Sequence, residues 1–152
     1  MIQRIQSLYL AAASMAMVAF LRAEVWVKSD LNAVFTMRPY ALIAPTGEPA
    51  IFPYGLSALL ACYLMVTAAY AIIRHDNRKL QLRLIASMNG VLAMLIILMW
   101  LLIKKADTAY LLSGHASYQT AFLLPFITWI ANLLARYHIK KDEQLVNEDR
   151  LR

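Results

Sequence analysis

The chain has 152 residues, of which 61% are hydrophobic and only 16% charged, and its formal net charge is +6. A soluble domain carries about a quarter charged residues, so this composition excludes an ordinary water-soluble fold and points to a membrane protein. Most of the length lies in apolar segments, which leaves no room for a second domain with its own core.

Four apolar stretches, near residues 7–21, 51–73, 84–103 and 118–137, are each about as long as a bilayer is thick. A helix of about 20 residues crosses a hydrocarbon core of about 30 Å. The predicted fold class is therefore an all-α membrane protein, a four-helix transmembrane bundle forming a single integral membrane domain.

The first span follows Arg4 and is rich in small residues, Ala11, Ala12, Ala13, Ser14 and Ala16. Read as a signal peptide, its cleavage residue would be Ala23, flanked by Arg22 and Glu24 with Leu21 two positions before it. Those neighbours favour a retained anchor.

Residues 22–50 form the longest polar segment. Ala33–Met37 and Tyr40–Ala44 favour extended structure, Pro45-Thr46-Gly47-Glu48-Pro49 is a turn signal, and residues 50–52 can return as a short strand. This predicts a short β-hairpin capping the outer end of the bundle, with an irregular loop as the alternative. The segment's charges cancel, Arg22, Lys28 and Arg38 against Glu24, Asp30 and Glu48.

The second span opens near Pro53, a proline suited to a first helical turn. Its Cys62 is the single cysteine of the chain, which closes no internal disulfide and forms no CxxC pair. It reads as a small buried hydrophobe. A tight basic turn follows, with Arg74, Arg78, Lys79 and Arg83 around His75-Asp76-Asn77.

The third span carries Ala86, Ser87, Asn89, Gly90 and Ala93. Ala86 and Gly90 share a face, and small residues at that spacing let helix backbones approach closely in lipid. Asn89 reads as interhelical glue, hydrogen-bonded to a neighbour such as Ser14 or Thr67. In the fourth span Pro125 predicts a kink, Trp129 reads as a packing residue, and Asn132 sits near the inner end, where water or headgroups satisfy it.

The tail, residues 138–152, is expected to continue the fourth helix beyond the membrane. It carries Lys140, Lys141, Asp142, Glu143, Arg150 and Arg152, and Glu148 precedes Arg152 by four, a favourable helical pair. Trp26, Tyr40, Tyr54, Trp100, Tyr110 and Tyr118 fall near the outer boundary and Tyr9, Tyr70 and Tyr137 near the inner one, as in aromatic belts.

Ten basic residues flank the spans on the side of the two termini and the central turn, against five on the other side. The positive-inside rule then places both termini in the cytoplasm of a multi-pass protein. Anionic lipid is the natural counter-charge. The basic turn lacks the interleaved aromatics of a nucleic-acid surface, so the net charge does not imply nucleic-acid binding.

No span holds an ionisable residue in its central portion. Such residues usually mark proton relays and voltage sensors, so those functions are disfavoured. His75, His115 and His138 do not pair within a span. No metal-ligand spacing, nucleophile elbow or Gly-rich phosphate loop is present. No catalytic residue, cofactor or metal site is therefore assigned, and the chain reads as a non-enzyme.

Three segments carry a family resemblance. Met1-Ile2-Gln3-Arg4-Ile5-Gln6, Asn77-Arg78-Lys79-Leu80-Gln81-Leu82-Arg83-Leu84, and Ile139-Lys140-Lys141-Asp142-Glu143-Gln144-Leu145-Val146 with the closing Asp149-Arg150-Leu151-Arg152 resemble the small bacterial membrane proteins catalogued as domain of unknown function 4293. The resemblance spans the whole chain. It implies a four-helix protein of the inner membrane of Gram-negative bacteria and supplies no reaction.

Two expectations follow. The first is a non-enzymatic subunit or scaffold of a membrane complex, meeting another membrane protein, a second copy or anionic lipid through Arg74, Arg78, Lys79, Arg83 and the tail. The second is a binder or carrier of a small apolar molecule, a lipid or quinone, inside the bundle. Ser14, Asn89, Gly90 and Asn132 are the candidate interhelical polar packing residues.

Overall fold

All four apolar stretches are helices in the computed structural model, which describes residues 3–30, 33–74, 77–109 and 115–150. They are α1 (Gln3–Arg22), α2 (Gly55–Ile73), α3 (Arg78–Ala109) and α4 (Leu124–Arg150). Each is long and apolar enough to cross a membrane. Helix bounds differ from the apolar stretches: α3 extends about six residues beyond its stretch at both ends, α2 starts only at Gly55, and α4 starts at Leu124 and runs on to Arg150.

The inward positions explain why the helices pack as a bundle. α1 buries Gln6, Leu10, Ala13, Met17 and Phe20, and α3 buries Gln81, Ile85, Met88, Leu92, Leu95, Met99 and Leu102. Alternating steps of three and four make a coiled-coil seam, which suits a bundle of nearly antiparallel helices. Alanines on the inner faces, Ala13, Ala61, Ala68, Ala71 and Ala135, allow close backbone approach. Only about a third of each span is buried within the chain. The outward faces carry Leu8, Met15, Val66, Met94, Ile97 and Ile130, apolar and exposed, which is the surface a bilayer covers.

One end of the bundle wears a sheet. Strands β1 (Trp26–Asp30), β2 (Ala33–Arg38), β3 (Ala41–Ile43), β4 (Pro49–Ala50) and β5 (His115–Tyr118) form one antiparallel sheet in the order β4-β3-β2-β1-β5. The expected extended segments are β2 and β3, which pair, and the Pro45–Pro49 turn joins β3 to β4, which returns at Pro49–Ala50 rather than over residues 50–52. The Gly47 N–H donates to the Ala44 carbonyl (2.9 Å), closing a turn over Pro45, and Gly47 takes φ +81°, which glycine allows without a Cβ clash.

The hairpin is only part of the cap. β1 pairs with β2 on one side and with β5 on the other, with Val27 opposite Thr36 and Ser117. Both loops at this end thus join in one sheet. Trp26, Lys28, Phe35, Met37 and Leu42 face the bundle and are buried. Trp26 is a core residue rather than a headgroup-level aromatic, because the strand turns it under the sheet.

Pro39, between β2 and β3, ties the cap to α2. Its carbonyl accepts from the Ala58 N–H (3.1 Å) and from the Ser57 hydroxyl. Pro125 does not kink a helix midway. It is the second residue of α4, after a short 3-10 turn at Thr120–Leu123, where a missing N–H costs nothing.

Candidate functional site

The end opposite the sheet gathers most of the residues singled out in the sequence. Leu10, Ala71, Ile85, Ala135 and Ile139 pack into one apolar cluster that joins all four helices there. Tyr9 stacks on His138, ring centroids 5.5 Å apart and 16° from parallel, which sets the register of α1 against α4. Around this cluster Arg74, Lys79, Arg83, Lys140 and Lys141 are exposed and Arg78 is half-buried. The side chains of Asp142, Glu143 and Arg150, and all of Arg152, lie outside the described residues.

The amides of the central turn hold that end in place. The Asn77 side chain accepts from the Leu80 N–H (3.0 Å), capping α3. Gln81 is buried, and its Nε2 donates to the Ala71 carbonyl at the end of α2 (2.9 Å). The Arg74 N–H returns to the Tyr70 carbonyl (3.0 Å). In the segment Asn77–Leu84, then, the amides shape a helical hairpin and the cations are displayed by it.

The polar groups inside the bundle differ from expectation. Asn132 is fully buried, beyond the reach of water or headgroups, and neither polar atom of its amide has a hydrogen-bond partner. Asn89 is half-buried and its Oδ1 is likewise unbonded, so it does not join Ser14 or Thr67. The Thr67 hydroxyl instead donates to the Tyr63 carbonyl of its own helix (2.7 Å). Ser14 is half-buried on α1. Gly90 faces away from the other helices: it is exposed, and a Cβ there would meet nothing within 4 Å. Cys62 is exposed on the outer face of α2 rather than buried.

The sheet end holds two ion pairs that sequence spacing does not reveal. Lys28 Nζ, on the buried face of β1, donates to Asp107 Oδ1 in the last turns of α3. The lysine side chain is 7% exposed and the carboxylate 44%, so the cation is enclosed and its partner reaches solvent. Arg38 Nη2 donates to Glu24 Oε1 (3.1 Å) and Nη1 to the Tyr40 hydroxyl (3.0 Å). Those bonds, Tyr40 first and Glu24 second, raise the Arg38 pKa above its ordinary value, so the guanidinium stays charged. His115 is exposed on β5. Among the described residues no three His, Cys, Asp or Glu side chains are placed to share a metal ion.

A groove of about 390 Å³ lies where the β2–β3 turn meets the outer face of α2, and its lining is almost wholly apolar. Of these features, the cap, the interhelical clasp at Gln81 and both ion pairs are structural, and among the described residues the end opposite the sheet offers the larger set of exposed basic residues.

No curated protein matches the chain. A family model described as a domain of unknown function, DUF4293, matches residues 2–151. Nearly the whole chain is covered, including the capped hairpin at Asn77 and the basic end of α4, and the protein belongs to the DUF4293 family.

Proposed function

We propose that the protein is a non-enzymatic subunit or scaffold of a membrane complex. In this reading it sits in the bacterial inner membrane with the Arg74–Arg83 end and both termini in the cytoplasm. It docks another membrane protein through Arg74, Lys79, Arg83 and the α4 tail, with anionic lipid beside them.

The observation that carries the reading is the contrast between the two ends. At the sheet end Lys28 and Arg38 are occupied by Asp107 and Glu24, leaving Arg22, Lys104 and Lys105 as exposed cations. At the other end five cations are exposed among the described residues alone, on elements locked together by Asn77, Gln81 and the cluster at Ile139. A rigid display of like charge suits docking to an acidic surface and supports the positive-inside orientation.

The test is purification from the native host in several mild detergents, followed by mass spectrometry of co-purifying proteins. One stable partner, lost when Lys79, Arg83, Lys140 and Lys141 are replaced by glutamate, is the expected result. Recovery of the protein alone in every detergent refutes the reading. A second reading, carriage of a small lipid or quinone within the bundle, draws support from the buried, unbonded amide of Asn132 alone. Its check is whether a quinone added to purified protein shifts the thermal transition, and whether Asn132→Leu abolishes the shift.

A further inference from the structure

We propose that Asn132 binds internal water at the level where the two clusters of the apolar core part, with Asn89 Oδ1 as a second anchor. The site is independent of the docking surface, and it competes with the lipid or quinone reading for the same amide.

The register puts the two amides at one depth. The buried apolar residues form two separate clusters, one toward the sheet and one at the opposite end, where Leu10, Ala71, Ile85 and Ala135 meet. Along α4, Asn132 is three residues nearer the sheet than Ala135; along α3, Asn89 is four residues nearer it than Ile85. At about 1.5 Å per residue those steps are about 4.5 and 6 Å. Both amides therefore sit one turn to the sheet side of that end cluster, on helices that pack together. The same step from Leu10 and Ala71 reaches Ala13 and Ala68, both buried. One-carbon side chains thus border this level on α1 and α2, with Leu10 on one side of it and Met17 and Leu64 on the other.

Asn132 is fully buried near the middle of the Thr120–Lys141 span, so bulk water does not reach it. Its Nδ2 and Oδ1 both lack a partner in the protein, a costly state for a polar group inside a bilayer. Whichever way the amide is turned, it asks for a donor and an acceptor at once. A quinone or an ester carbonyl only accepts, so it answers half of that demand. An ion finds no counter-charge, because no Asp, Glu, Lys, Arg or His of the four helices falls at this level. Water does both, accepting from Nδ2 and donating to Oδ1 of Asn132 and to the buried, unbonded Oδ1 of Asn89. Immobilising a water offsets much of what its bonds contribute. Asn132→Leu, which removes amide and water together, therefore stays near wild-type stability.

The experiment is NMR of the full chain, isotope-labelled in detergent micelles, reading magnetisation transfer from water to the Asn132 side-chain amide protons. Loss of their resonance in Asn132→Leu identifies it. Wild type shows a direct water cross-peak. Ala13→Leu fills the level and abolishes the cross-peak, and Asn89→Leu weakens it. Thr67→Val leaves it unchanged, which separates bound water from exchange relayed by that nearby hydroxyl. Circular dichroism checks each fold, and Ala68→Val replaces Ala13→Leu if that variant does not fold. Absence of the cross-peak in wild type overturns the proposal. So does a cross-peak undiminished in Ala13→Leu, or one lost in Thr67→Val. An Asn132 resonance that shows no water contact and shifts on addition of a short-chain ubiquinone overturns it in favour of the quinone reading, whereas the docking reading stands or falls separately.

Discussion

Replacing the two partners of the Lys28–Asp107 pair one at a time should give unequal costs. Asp107→Asn leaves the Lys28 ammonium enclosed beneath the sheet, 7% exposed, with its counter-charge gone. Breaking a fully buried pair by removing one partner costs about 3–5 kcal/mol. The Asp107 carboxylate is 44% exposed, so water reaches one side of the pair and the cost falls to about 2 kcal/mol. Lys28→Met removes the buried charge itself and leaves a carboxylate that water can solvate, at a cost of about 0–1 kcal/mol. The pair links β1 to α3, so the loss is local to the cap. Hydrogen exchange by mass spectrometry in detergent should show opening of residues 26–30 and 115–118 rising about thirtyfold in Asp107→Asn, and only a few-fold in Lys28→Met. The α1–α4 cores should not change. Equal acceleration in the two variants, or none in Asp107→Asn, would refute the enclosed-cation argument.

Further outcomes follow from single contacts. In a Cys62→Ala background, Val27→Cys with Ser117→Cys should cross-link on oxidation, because these residues are opposite in the β1–β5 register; a gel shift reports it, and failure would mean the two loops do not share a sheet. Asn77→Ala should destabilise the start of α3 by about 1 kcal/mol through loss of its cap, seen as faster exchange of the first α3 amides. Asn132→Leu should keep or raise the thermal midpoint, because it removes a buried amide that forms no hydrogen bond within the protein; a loss above about 2 kcal/mol would show that the amide is satisfied.

The spans were legible because a membrane demands about 20 apolar residues of each crossing, whatever lies beside them. Their packing faces were not. In a soluble helix a polar face marks the outside, but here Leu8, Met15 and Val18 point outward and Leu10, Met17 and Phe20 point inward, all apolar. Residue size carries part of the missing signal, since Ala13, Ala61, Ala68 and Ala71 are inside, and Gly90 breaks even that rule by facing out. The extended segments that became β2 and β3 were legible, and so was the turn between β3 and β4, because Pro45–Pro49 is a local signal. β1 and β5 were not, because Trp26–Asp30 and His115–Tyr118 are short, poorly alternating and separated by most of the chain. The Lys28–Asp107 pair was not legible either, because Lys28 counts along the chain only as one of the cancelling charges of residues 22–50 and its partner lies 79 residues away.

The two ion pairs change what the charge count means. Counted along the sequence, the two ends differ two to one in basic residues. Pairing commits Lys28 and Arg38 of the sheet end to Asp107 and Glu24, whereas at the other end the buried polar side chains are the amides Gln6 and Gln81 and the capping amide Asn77 is exposed. Asn77 caps and Gln81 clasps, so the turn is held without using its lysines and most of its arginines. Neutral polar groups shape this end and most of its charged ones are displayed by it. That division explains how one short segment can be both a structural hairpin and a docking surface: the two roles fall on alternate side chains of the same helical turn.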